Sequence, residues 1–149
     1  GTAAPRNLLA LIGTPVSHLL HHCGGYTGGA ARLLMGGPMM GFALRSDDEP
    51  VVKASNCLLV LSEQDIEAPQ PEMPCIRCGE CVFVCPMGLE PHLLMNLTEK
   101  GLYERAANED VMTCIECGSC SYVCPSHRPL LDYIRFGKSI VKKLNTAKN

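Results

Sequence analysis

Cys75-Ile-Arg-Cys-Gly-Glu-Cys-Val-Phe-Val-Cys-Pro86 and Cys114-Ile-Glu-Cys-Gly-Ser-Cys-Ser-Tyr-Val-Cys-Pro125 are one spacing written twice, C-x2-C-x2-C-x3-C-P. Three thiols at intervals of three wrap a short turn around one face of a cubane, and the fourth lies too far round the turn to join them. This is the spacing of a chain that holds two 4Fe-4S clusters, in which the fourth cysteine of each set ligates the other cluster. The pattern therefore pairs Cys75, Cys78, Cys81 and Cys124 on one cluster and Cys114, Cys117, Cys120 and Cys85 on the second. Crossed ligation would lock the two motifs together and keep the clusters close.

Zinc and disulfides are the competing uses of cysteine. Zinc sites usually take two separated pairs or add histidine, and they rarely place three cysteines in seven residues before a fourth that precedes proline. Disulfides need an oxidising compartment, and the opening residues show no charged segment leading into a long apolar run, so a reducing cytoplasm is expected.

Just before the first motif, Glu67-Ala-Pro-Gln-Pro-Glu-Met-Pro74 reads as a stiff, extended linker between a first domain at 1–66 and a second at 75–149. Upstream of it, the apolar run at residues 7–12 suits a strand. Thr14 as N-cap and Pro15 at the first helical position predict a helix through Val16, Leu19, Leu20 and Cys23, ended by Gly24-Gly25. Residues 31–35 and 56–61 read as further strands, with Gly36-Gly-Pro-Met-Met-Gly41 a tight loop. Downstream, residues 86–113 read as helical: Leu89, Leu93, Leu94 and Leu97 repeat at helical spacing, Pro91 is tolerable only in a first turn, and 103–110 suits a second short helix. A last helix begins near Pro129, with Leu130, Leu131, Ile134, Ile140, Val141 and Leu144 on its apolar side. The fold class expected is α+β, a small strand-rich domain followed by an α-helical dicluster domain.

Composition narrows the function. The chain has 149 residues, no Trp, only 3 Phe and a formal net charge of -2, which argues against nucleic-acid binding as its main task. No run of about 18 apolar residues is present, so no transmembrane segment is expected. Units of about 70 residues usually need a staple beyond their core, and clusters would supply one to the second half. The chain opens on Gly1 without an initiating Met, in a stretch that reads like the middle of a domain, so a fragment of a longer protein is expected.

Within the motifs, Gly79 and Gly118 would let backbone N–H groups approach a cluster, and Ile76, Val82, Val84, Ile115, Tyr122 and Val123 would exclude water. Arg77, Glu80 and Glu116 read as solvated rim residues. Cys23 and Cys57 lack companion spacing and read as buried structural thiols. His21, His22 and Cys23 are adjacent, and side chains about 100° apart on a helix cannot readily converge on one ion. The two glycine-rich segments match neither phosphate-loop pattern, so turns are their expected role. Five basic residues and no acid at residues 135–149 suit the C-terminal end of a helix.

Taken in order, Ile12-Gly-Thr-Pro-Val-Ser17, Gly36-Gly-Pro-Met-Met-Gly41, Pro74-Cys-Ile-Arg-Cys-Gly79, Cys114-Ile-Glu-Cys-Gly118 and Tyr122-Val-Cys-Pro125 resemble the RnfC family of Rnf-type electron-transport complexes. The resemblance implies a soluble-ligand-binding β-grasp segment followed by a dicluster ferredoxin domain. It implies a peripheral subunit on the cytoplasmic face of a bacterial membrane, within a complex that couples electron transfer between NADH and ferredoxin to Na+ or H+ movement. The implied partners are other subunits of that complex and ferredoxin or flavin electron donors and acceptors. FMN and NADH would be bound in an upstream region that this sequence lacks, so no catalytic residue is assigned here and a one-electron relay is what remains. The β-grasp segment shows no convergent polar set and reads as a docking or scaffold module. A cobalamin-reductase-like subunit, a free-standing ferredoxin and a zinc-stabilised assembly module remain as alternatives.

Overall fold

A computed structural model describes residues 1–147 as two compact units, Gly1–Pro69 and a second that begins at Gln70. The first contains helix α1 (Val16–His22) and strands β1 (Ala30–Met35), β2 (Phe42–Ala43) and β3 (Leu58–Ser62). The strands form an antiparallel sheet in the order β2-β1-β3, in which Met35 is opposite Phe42 on one side and Leu58 on the other. Val16 and Leu20 lie one above the other on α1, and both pack with Met35 and Val60 in the core of this unit. The apolar residues of α1, β1 and β3 thus share one core, while Phe42 and Ala43 of β2 stay exposed.

Several expectations about this unit need correction. The run at residues 7–12 is not a strand, and Leu8, Leu9, Leu11 and Ile12 are exposed. A strand needs a hydrogen-bonded neighbour, and residues 7–12 join neither outer edge of the β2-β1-β3 sheet. Apolar content alone could not supply the missing partner. Thr14 does not cap α1 either. Pro15 stands at the N-cap with no side-chain bond, and the first-turn N–H groups of Val16 and Ser17 donate instead to the carbonyl oxygens of Glu49 at 3.0 Å and Asp47 at 2.7 Å. The stop at Gly24-Gly25 agrees with expectation: both glycines are left-handed, and Gly25 N–H donates back to Leu20 O at 2.9 Å. Cys57 is exposed rather than buried, since it precedes β3 and serves the sheet through its backbone carbonyl, which accepts from Gly36 N–H at 2.8 Å.

The second unit is helical: α2 (Glu80–Phe83), α3 (Pro91–Glu99), α4 (Tyr103–Asn108), α5 (Ser119–Tyr122) and α6 (Leu130–Ala147), with 3-10 turns at Glu63–Asp65 in the first unit and Val111–Thr113 here. Pro91 opens α3, where its missing N–H costs nothing. Leu94, Met95 and Leu97 from α3 meet Ala106, Val111, Leu130, Ile134 and Val141 in one core. Leu144, expected on the buried side of α6, is exposed at 39% in a groove it shares with Tyr103, Ala107 and Asn108 of α4. Gly137 marks the tightest approach of α6 to α3, where an added Cβ would run into Thr98 Oγ1. That hydroxyl is buried and has no hydrogen-bond partner.

The expected linker is only partly free. Met73 N–H donates to Ser126 O at 3.0 Å, Ser126 Oγ donates to Pro74 O at 3.0 Å, and Arg128 pairs with Glu72 at 3.3 Å, so its last residues belong to the helical unit. The α+β class holds across the two units taken together. Lys148, one of the five basic residues anticipated at the C-terminus, lies outside the described residues.

Candidate iron-sulfur site

The two cysteine motifs build the same backbone. Arg77 and Glu116, the second residues after the first cysteines, are left-handed at φ 57 and 59. Gly79 and Gly118 follow at φ 82 and 84 with the same ψ of -7, and each starts a four-residue helix, α2 or α5. A left-handed residue costs little at glycine but is unusual for Arg or Glu. What the turn gains is an inward-facing amide: Arg77 N–H stands 3.4 Å from Cys75 Sγ, and Glu116 N–H 3.4 Å from Cys114 Sγ. The correspondence extends past the prolines, since Gly88 and His127 are also both left-handed.

The loops fold so that the thiols group across motifs. Cys75, Cys78, Cys81 and Cys124 line one cavity of about 170 Å³, with His92 and Arg128 on its wall. Cys85, Cys114, Cys117 and Cys120 line a second and tighter one of about 20 Å³, closed by Leu89, Leu131 and Ile134. Electrostatics record the same crossing. Burial pushes the Cys81 thiol up, against hydrogen bonds from the His92 and Val82 backbone, and the charge of Cys124 pushes it further. Burial raises Cys114 likewise, and Cys85 adds to that rise. Cys120 is pushed up to about 11, chiefly by burial. Cys117 moves down, because Ser119 hydrogen-bonds to its sulfur.

Burial of Cys81, Cys114 and Cys120 beside their neighbouring thiols is what a cluster-binding site needs. The desolvation that disfavours free thiolates is offset only when cationic iron neutralises them. Among the described residues no three Cys, His, Asp or Glu groups stand close enough to hold a single ion. Four thiols ranged around a cavity suit a larger polynuclear group. Backbone N–H groups add donors to sulfur at each set, including Leu89 N–H to Cys85 Sγ at 3.4 Å.

Side chains expected to exclude water divide in two. Val82, Val84 and Val123 are half-buried, whereas Ile76, Ile115 and Tyr122 are exposed. Ile76 and Ile115 nevertheless line the rims of the two thiol cavities. Glu116 is not a free rim residue. Burial works against its ionisation, but hydrogen bonds and charge from Lys138, and then from Arg135, outweigh burial and hold its carboxyl below the ordinary value of 4.5. Arg135 and Lys138 were legible only as helix-end charges, and their i, i+3 spacing on α6 was the available signal that one acid could bind both. Cys23 is buried, and His21 and His22 beside it are exposed, so the three do not converge.

Residues 70–126 match the 4Fe-4S dicluster domain family, and residues 3–43 match the SLBB domain family. The chain is 47% identical over 150 residues to the RnfC component of the ion-translocating oxidoreductase complex of Rhodobacter capsulatus, an alignment covering 100% of this chain and 28% of that protein. The protein of the same description from Yersinia enterocolitica is 47% identical over 95% of this chain and 20% of its own length. The one from Yersinia pestis is 46% identical over 96% of this chain and 23% of its own. The chain thus spans about a quarter of the curated relatives it matches.

Proposed function

We propose that this chain, which is homologous over its whole length to a segment of the RnfC components of ion-translocating oxidoreductase complexes, relays single electrons within such a complex. Cys75, Cys78, Cys81 and Cys124 would hold one 4Fe-4S cluster, and Cys85, Cys114, Cys117 and Cys120 a second. Bound there, such a cluster supplies a one-electron couple whose potential follows burial, charge and hydrogen bonds to sulfur. The observation that carries the reading is the exchange of fourth cysteines: Cys124 lines the cavity of the first motif, and Cys85 that of the second.

The chain's own residues have separate tasks. The amides of Arg77, Leu89 and Glu116 donate toward ligand sulfurs and favour added negative charge there. Leu89, Leu131 and Ile134 close the second set against water. Cys75 and Cys78 are exposed while Cys120 is buried, so the first set is the one open to a donor or acceptor and the second is the enclosed one. Two sets of unequal exposure, locked by exchanged ligands, suit a directional hand-over between an outer and an inner site.

In this proposal residues 1–66 form a docking or scaffold module, 67–74 connect it to the relay, and 75–149 are the relay itself. In this reading FMN and NADH belong to a region outside residues 1–149, and no residue here is assigned to them. Other subunits of the complex, together with ferredoxin or flavin groups, are the electron partners. The protein is peripheral on the cytoplasmic face of the membrane. Among the described residues no helix is long and apolar enough to cross it.

The test is anaerobic iron and acid-labile sulfide content, with low-temperature EPR before and after dithionite reduction. About eight iron and eight sulfide per chain, with interacting signals in the reduced protein, are expected of two cubanes. Stoichiometric zinc, no sulfide and no signal would replace the relay by a structural module.

A further inference from the structure

The two motif turns share a backbone and differ in charge at one equivalent place. Arg77 is exposed at the first set. Its counterpart Glu116 is gripped from α6, with Lys138 Nζ at 2.6 Å and Arg135 Nε at 3.1 Å. Lys138 Nζ also donates to the carbonyl oxygen of Cys114 at 2.7 Å. One ammonium therefore ties down both the first cysteine of the second motif and the residue whose N–H faces that cysteine's sulfur. The Lys138 side chain is only 18% exposed, so its charge is less screened than that of a surface lysine.

We propose that Lys138 is a positioning residue of the second cysteine set, fixing the turn at Cys114–Glu116 and raising the reduction potential of the group bound there relative to the same site without it. The inference rests on the reading of that set as a 4Fe-4S site. Reduction places one added negative charge among the four thiolates and leaves every bond in place. A weakly screened cation beside Cys114 stabilises that charge, and a carboxylate at the same place opposes it. Glu116 is neutralised by one of its two cations and leaves the trio a net positive charge, which Lys138 delivers nearest the ligand. Among the described residues the first set has no such grip from α6, so the trio adds a difference in charge to the difference in exposure between the two sets.

The experiment is an anaerobic potentiometric titration followed by EPR on the full chain, after iron and sulfide have been measured for every variant. Lys138→Met is expected to move one of the two midpoints to a more negative value and leave the other in place. Lys138→Arg is expected to keep most of the original value. Glu116→Gln is expected to move the same midpoint in the opposite, positive direction, which a purely structural loosening of the turn would not do. Intact iron content with neither midpoint moved, or with both moved equally, overturns the assignment. If Lys138→Met loses iron, the sign of the Glu116→Gln shift decides: a positive shift sustains the assignment, and a negative or absent one overturns it. A wild-type chain that takes up no cluster overturns the cluster reading itself and this inference with it.

Discussion

Crossed ligation can be tested by removing two cysteines at a time in alternative pairings. Cys75 and Cys124 line one cavity and Cys85 the other, although Cys75 and Cys85 share a motif and Cys124 is far along the chain. Cys75→Ala with Cys124→Ala should therefore empty one site and leave the second set of four thiols whole. Iron should fall from about eight to about four per chain, with the reduced protein showing one isolated signal free of spin coupling. Cys75→Ala with Cys85→Ala removes the same number of thiols but takes one from each site. Both sites are left with three, and neither should retain an intact cubane signal. Because the two double variants differ only in where the losses fall, a general effect on folding would lower both alike. Far-ultraviolet circular dichroism controls for that, since Cys81, Cys85, Cys114 and Cys124 pack against the helical core. The reasoning is refuted if Cys75→Ala with Cys85→Ala keeps one intact cluster while Cys75→Ala with Cys124→Ala disturbs both, because ligation would then run motif by motif.

Gly137→Ala should destabilise the helical unit, because a Cβ meets Thr98 across the α3–α6 contact; overpacking of about 1–3 kcal/mol is offset by about 1 kcal/mol of helix propensity. Adding Thr98→Ala should recover much of the loss, and thermal melts of the two singles and the double show whether the pair is coupled. Thr98→Val alone should stabilise by about 1 kcal/mol by replacing an unpartnered buried hydroxyl with a methyl group, visible as an upward shift of Tm of roughly 4–8 °C. Glu116 has a folded pKa depressed below 4.5, so its contribution is present above that value and is lost as pH falls through the folded value. Acid titrations of the folded signal should accordingly show a shallower decline below pH 4.5 for Glu116→Gln than for the wild type, and identical curves would remove Glu116 from the stability of the turn.

How much was readable in advance depended on whether the information was local. The helix at Val16–His22, the Gly24-Gly25 stop, β1, and the helices α3, α4 and α6 follow from periodicity and from residues that the backbone requires at turns. The failures share a cause in long-range partners. Residues 7–12 have strand composition but join neither outer edge of the β2-β1-β3 sheet, and Thr14 has the right chemistry for a cap where distant carbonyls of Asp47 and Glu49 already accept the N–H groups. Cys57 looks like a core thiol within its apolar run, yet its place before β3 turns the side chain outward.

The cysteine chemistry was written in the order of residues, because ligand spacing within a turn is a local property: the interval C-x2-C-x2-C leaves one compact way to bring three sulfurs to one face. The same spacing suggests that a residue further on has left that face, and each fourth cysteine lines the cavity of the other motif. What surrounds the two sets had to wait for the packed chain. Packing of α6 against the Val111–Thr113 turn and α5 brings Lys138 back to Glu116 across 22 residues of chain and Arg135 across 19. Burial and charge act through space rather than along the chain, which is why two nearly identical motifs become two unequal sites.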